Sequence, residues 1–180
     1  SVGFSSERLK RLDAGMKAAV GSKQLAGIAT VVARRGQVVQ QLTYGQADMA
    51  GGKSMQMDSI VRIYSMTKPI TGVALLMLYE EGKWKPSDPI SRHIPEFKDL
   101  KVFAGTGADG KPILEAPKHQ PTMAELMSHS AGFTYGYFGA SPVDKLYQAD
   151  HPLAKQNLQQ AIERLAQIPL LYQPGDGWFY

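Results

Sequence analysis

The chain has 180 residues, 43% hydrophobic and 20% charged, the balance of an ordinary globular protein, and no apolar run long enough to span a bilayer, so stable membrane insertion is not expected. Its 20 Lys+Arg against 16 Asp+Glu give a net charge of +4, scattered without aromatic-interleaved basic runs, which argues against a nucleic-acid surface. The absence of cysteine excludes disulfides, thiolate zinc sites and cysteine nucleophiles, and His93, His119, His129 and His151 lack ligand spacing, so no metal is expected.

The start shows neither a signal-peptide pattern nor an initiator Met, as in a trimmed chain. A cytoplasmic location is favoured, and a periplasmic one would follow if a signal peptide had been removed. Ser6 reads as the N-cap of a helix that places Leu9, Leu12, Met16 and Val20 on one face and ends near Gly21. Ile28 to Ala33 is a β-branched run apolar on both faces; Arg35-Gly36 makes a tight turn into the better alternating Val38 to Tyr44. Gly45 to Ser59 reads as loop, and Ile60 to Tyr64 as an extended, mostly buried segment.

Ser65-Met66-Thr67-Lys68 then stands where that segment enters a helix over Pro69 to Glu81, with Ile70, Val73, Ala74, Met77 and Leu78 spaced for one buried face. Pro69 fits the first turn, where its missing N–H costs nothing. A serine and a lysine three apart share a helix face, which is the geometry for a serine nucleophile activated by an amine. Burial and the positive helix end should both disfavour the ammonium form of Lys68. The same helix start offers N–H groups to an oxyanion at Ser65. A bare Ser-x-x-Lys arises by chance about once in a chain this long, so placement rather than occurrence carries the argument. The plainer alternative is that Ser65 caps the helix and Lys68 is solvated.

Asp88-Pro89 leads into a short helical turn toward His93-Ile94-Pro95. Lys101-Val102-Phe103 and Ile113-Leu114-Glu115 flank Asp109-Gly110 as a hairpin. Thr122 caps a helix over Met123, Leu126 and Met127 that stops at Gly132; an aromatic, glycine-rich loop follows from Phe133 to Gly139. Asn157 begins a last helix with Leu158, Ile162 and Leu165 inward, ending at Pro169. Residues 1–60 thus read as an N-terminal helix and first strands, and 61–180 as a mostly helical region. A strand apolar on both faces needs more sheet than one hairpin supplies, so further strands are expected beyond 180. The aromatic end Trp178-Phe179-Tyr180 reads likewise as a break within a longer chain.

The order Ser65-Met66-Thr67-Lys68, Leu126-Met127-Ser128-His129-Ser130-Ala131-Gly132-Phe133-Thr134-Tyr135-Gly136, Pro174-Gly175 and Trp178-Phe179-Tyr180 resembles the serine β-lactamase-like superfamily. Within it the chain is most similar to the family VIII carboxylesterases, relatives of class C β-lactamases and D-alanyl-D-alanine peptidases, and it covers about the first half of such a protein. The resemblance implies an α+β, β-lactamase/transpeptidase-like fold: an antiparallel sheet flanked by helices plus an all-helical region, incomplete in this chain. It puts the nucleophile on Ser65, the lysine on Lys68 and the catalytic tyrosine on Tyr180; the late strand motif, which would carry a second oxyanion N–H, lies outside these residues.

On that basis the expected activity is a serine carboxylesterase working through an acyl-serine. Lys68, neutral at rest, takes the Ser65 proton, and Tyr180 relays it to the leaving alkoxide. No cofactor is implied. The expected partners are a small-molecule ester or β-lactam and the C-terminal remainder of the same protein, whether continuous or a separate chain. Tyr135, Phe138 and Trp178 are candidates for the substrate pocket, although Tyr135, Tyr137 and Phe138, each taken singly, read rather as closing the helical region. His129 is expected to be structural, its ring bonded to backbone. The alternatives are a class C-type β-lactamase or D-alanyl-D-alanine peptidase, and a penicillin-binding sensor module that does not turn over.

Overall fold

A computed structural model describes residues 2–154 and 157–180. The chain divides into two compact units, Ser1–Tyr64 and Ser65–Tyr180.

In the first unit, helix α1 (Ser6–Gly21) is capped by Ser5, whose hydroxyl accepts the Arg8 N–H, one residue earlier than the sequence suggests. Met16 is its buried contact, whereas Leu12 is 44% exposed. Strands β1 (Gly27–Arg34) and β2 (Gln37–Asp48) pair antiparallel through the Arg35-Gly36 turn, and the third strand, β3 (Lys53–Ser54), adds to β2. Both turn residues have positive φ, at 52° and 73°, the geometry that matches the strands' own twist. The expected loop from Gly45 is therefore corrected: β2 runs on to Asp48. Gly45 pairs with Gly27 and lies so close that a Cβ on it would meet Val20 Cγ1 at 2.8 Å. In β1 the two-sided apolar run resolves into one half-buried face, with Ile28, Thr30 and Val32, and one open face, on which Val31 is 54% exposed. Ile60 to Tyr64 is neither paired as a strand nor buried, with Ile60 fully exposed; an apolar run is buried only if another element covers it.

The second unit opens with helix α2 (Thr67–Glu80). Its expected buried face is not buried: Ile70, Val73 and Met77 are each more than half exposed, and Leu75, a position off that face, packs partly on the core. A helix that is apolar nearly all round has no single face for periodicity to find. Its end is tied down where Trp84 Nε1 donates to the Leu75 carbonyl at 2.7 Å. The core gathers Trp84, Ile90, Phe97, Leu100, Val102, Met123, Ala131 and Leu170.

The expected hairpin forms as β4 (Val102–Thr106) and β5 (Pro112–Glu115). Helix α3 (Met123–Met127) has the expected Thr122 cap as a reciprocal capping box with Glu125, but ends at Met127, with Ser128 as its C-cap, rather than at Gly132. Helix α4 (Pro142–Asp150) was not foreseen; its own capping box joins Ser141 to Asp144, with Pro142 in the first turn. Helix α5 (Leu158–Leu165) starts from the expected Asn157 cap. Ile162 and Leu165 pack on the core, while Leu158 points outward at 76% exposure.

Candidate active site

Three polar side chains converge at the start of α2. Lys68 Nζ donates to Ser65 Oγ at 3.1 Å and to the Tyr180 hydroxyl at 3.2 Å, although Lys68 and Tyr180 are 112 positions apart. Ser65 does not cap the helix: Met66 occupies the cap position and no side chain bonds there. Ser65 is exposed, follows Tyr64 in the left-handed region at φ 45°, and is open to an incoming carbonyl.

Tyr180 arrives because the last ten residues are laced onto the 129–132 segment. Leu171 N–H donates to the Gly132 carbonyl at 2.7 Å, Gly175 N–H to Ser130 at 2.9 Å and Phe179 N–H to His129 at 3.0 Å. Upstream, buried Leu170 is bonded to Lys101 and Phe103 of the hairpin, and Lys118 Nζ pairs with Asp176 at 2.8 Å. Gly132 makes this lacing possible: it sits at φ 94°, and a Cβ there would lie 2.6 Å from the Tyr172 carbonyl oxygen. Gly132→Ala is therefore expected to cost about 1–3 kcal/mol, measured by denaturant melts, and to lower activity by displacing Tyr180.

His129 is corrected in detail. Its main-chain carbonyl, not its ring, holds the backbone by accepting from Phe179 N–H and from the Tyr172 hydroxyl at 3.4 Å. The ring stands edge-on to Tyr180, with centroids 4.9 Å apart. The three pocket candidates join the same array: Trp178 stacks on Tyr180 at 6.2 Å and 17°, Tyr135 lies 6.2 Å from Tyr180, and Phe138 lies 6.2 Å beyond Tyr135. Trp178, Phe138 and Tyr137 are 67–73% exposed, so this aromatic wall faces outward.

The protonation of Lys68 runs opposite to the sequence expectation. The Tyr135 phenol first, and then that of Tyr180, stabilise the ammonium and raise its pKa above the ordinary lysine value; burial pulls the other way and loses. Lys68 Nζ sits 5.5 Å from the Tyr135 ring centre and 4.7 Å from that of Tyr180. Tyr180 shifts in the complementary direction: its hydrogen bond with Ser65, followed by that from Lys68, lowers its pKa below the usual phenol value. The proton thus rests on the amine, and the phenol is the group brought closer to ionising.

The Ser65–Lys68 pair was readable from local spacing, while Tyr180 entered through resemblance. The place of Tyr135 against Lys68 and the buried Asp144 beneath its loop were missed, although Ser141-Pro142-Val143-Asp144 carries a readable cap signature. No cluster of His, Asp or Glu with metal-holding geometry occurs among the described residues.

Comparison with known proteins gives a consistent relationship. The family model described as Beta-lactamase matches residues 12–180. Esterase EstB of Burkholderia gladioli is 34% identical over 173 residues, which cover 94% of this chain and 41% of the relative. Among solved structures, EstCE1, a hydrolase with promiscuous acyltransferase activity, aligns with a TM-score of 0.74 at 27% identity, over 96% of this chain and 43% of that one. Simvastatin synthase (LovD) from Aspergillus terreus gives 0.73 at 25% identity, over 98% and 44%. The chain therefore spans less than half the length of these relatives, and the β-lactamase/transpeptidase-like α+β fold is represented in part. Matched along nearly all its residues, and with an esterase among its relatives, the chain belongs to the Beta-lactamase family and stands close to that family's esterases.

Proposed function

We propose that this chain carries the nucleophile-bearing part of a serine hydrolase that cleaves carboxylic esters through an acyl-serine intermediate. The observation that carries the reading is the convergence of Ser65 Oγ, Lys68 Nζ and the Tyr180 hydroxyl within 3.1–3.2 Å contacts. With the proton held on Lys68, the base is Tyr180 rather than the amine. Its phenolate oxygen takes the Ser65 proton as Oγ bonds to the ester carbonyl carbon, giving a tetrahedral oxyanion. The Ser65 N–H at the helix start stabilises that oxyanion, and a second donor would come from outside these 180 residues. As the C–O bond breaks, the Tyr180 hydroxyl protonates the leaving alkoxide. Water then adds to the acyl carbon, Tyr180 again accepts the proton, and collapse returns it to Ser65 and releases the acid.

Lys68 has two tasks in this scheme. Its ammonium lowers the cost of charge on the phenol, and its hydrogen bond orients Ser65. The outward aromatic wall of Tyr135, Phe138 and Trp178 supports a substrate with apolar groups beside the scissile bond. The EstB relationship supports esters over β-lactams. In the full-length protein, p-nitrophenyl butyrate is expected to turn over with kcat/KM at least about tenfold above that for nitrocefin. Faster nitrocefin turnover would replace the reading with a β-lactamase, and stoichiometric acylation without release would replace it with a binding module.

A further inference from the structure

Besides its two hydrogen-bond partners, Lys68 faces the ring of Tyr135, 5.5 Å from Nζ, and the loop that carries this ring rests on an unusual burial. Asp144 is 1% exposed and Thr134 6%. Asp144 Oδ1 accepts the Thr134 hydroxyl at 2.6 Å, and Oδ2 accepts both the Ser141 hydroxyl at 2.7 Å and the Ser141 N–H at 3.0 Å. A capping box needs only the Ser141 contacts, and caps work on the surface. Burying a carboxylate carries a desolvation cost that capping alone does not require. The extra bond goes to the residue immediately before Tyr135.

The residue immediately after it is tied as well. Gly136 N–H donates to Thr134 Oγ1 at 3.4 Å, and the Gly136 carbonyl accepts from Gln148 of α4 at 2.6 Å. Gly136 has φ 74°, and a Cβ there would sit 2.6 Å from Tyr147 Cβ, so the loop rests directly on the helix. The backbone of Tyr135 is thus clamped on both sides while its ring reaches to 5.5 Å from Lys68 Nζ, beside the Tyr180 ring at 4.7 Å. Among the described residues, the titratable groups around the ammonium are these two phenols, with His129 edge-on to Tyr180.

We propose that the buried Asp144–Thr134 hydrogen bond is a positioning device that holds Tyr135 against Lys68 and so keeps the amine aligned with Ser65 and Tyr180. The proposal rests on the acyl-serine reading. Asp144 and Thr134 touch no reacting atom; they act through Tyr135.

Variants of the full-length protein test it with p-nitrophenyl butyrate as probe. Thr134→Val removes the hydroxyl at constant shape, Thr134→Ser keeps it, and Tyr135→Phe removes the phenol alone. Thr134→Val is expected to lower kcat about tenfold with KM changed less than twofold, and to bring the alkaline fall in rate to lower pH, because the ammonium loses a stabilising partner. Tyr135→Phe should show the same displacement of the alkaline limb, Thr134→Ser should restore the parent profile, and the Thr134→Val/Tyr135→Phe double variant should be no worse than the poorer single. An unmoved alkaline limb in Tyr135→Phe, a serine variant as defective as valine, or additive losses would overturn the positioning role. Should Thr134→Val not fold, Tyr135→Phe with its pH profile decides alone. Activity surviving Ser65→Ala would instead sink the underlying reading, independently of the clamp.

Discussion

Ser65→Ala in the full-length protein is expected to reduce hydrolysis of p-nitrophenyl butyrate by about 10⁴-fold or more and to abolish covalent labelling by a fluorophosphonate. The size follows from the step lost. Without Oγ there is no atom to form the acyl bond, and Lys68 and Tyr180 then have no proton to move. The fold should not suffer. Ser65 is exposed and caps nothing, so the change in unfolding free energy should stay within about 0.5 kcal/mol. A stable variant that still labels would refute Ser65 as nucleophile, since neither misfolding nor a lost cap could be blamed.

Tyr180→Phe is expected to lower kcat by about 10²–10⁴-fold while leaving Ser65 available to slow fluorophosphonate labelling. The accompanying pH dependence has a definite sign. Tyr180 has a pKa below that of a free phenol, so in the parent the rate is expected to rise with pH as the phenolate fraction grows. It should hold while Lys68 keeps its proton, and fall only above the raised lysine pKa. In Tyr180→Phe the rising limb should vanish. Had Lys68 been the neutral base, the rise would follow the amine and survive removal of the phenol. A persisting rise in the phenylalanine variant would therefore return the base role to Lys68.

What the sequence made legible follows the range of each interaction. The Ser65–Lys68 pair, the Thr122 and Asn157 caps and the Arg35-Gly36 turn depend on residues within three or four positions, and all stand in the structure. The exposure of α2 did not show, because an apolar helix advertises burial without naming its cover. The charge state of Lys68 was read backwards for a related reason. Its helix position argues for a neutral amine, but two phenols delivered by distant loops outweigh that. One of them, Tyr135, follows Thr134, which is bonded to a carboxylate in the first turn of α4, and no local pattern connects Asp144 to Lys68.

The β4–β5 hairpin offers a practical handle. Its tip closes on itself, Gly107 N–H donating to the Lys111 carbonyl and Gly110 N–H to Gly107, and Ala108 between them is exposed. These 180 residues hold no native thiol. Ala108→Cys would thus provide a unique attachment point within them for a fluorophore or a solid support, on a self-contained turn, leaving Ser65, Tyr135 and Tyr180 chemically untouched.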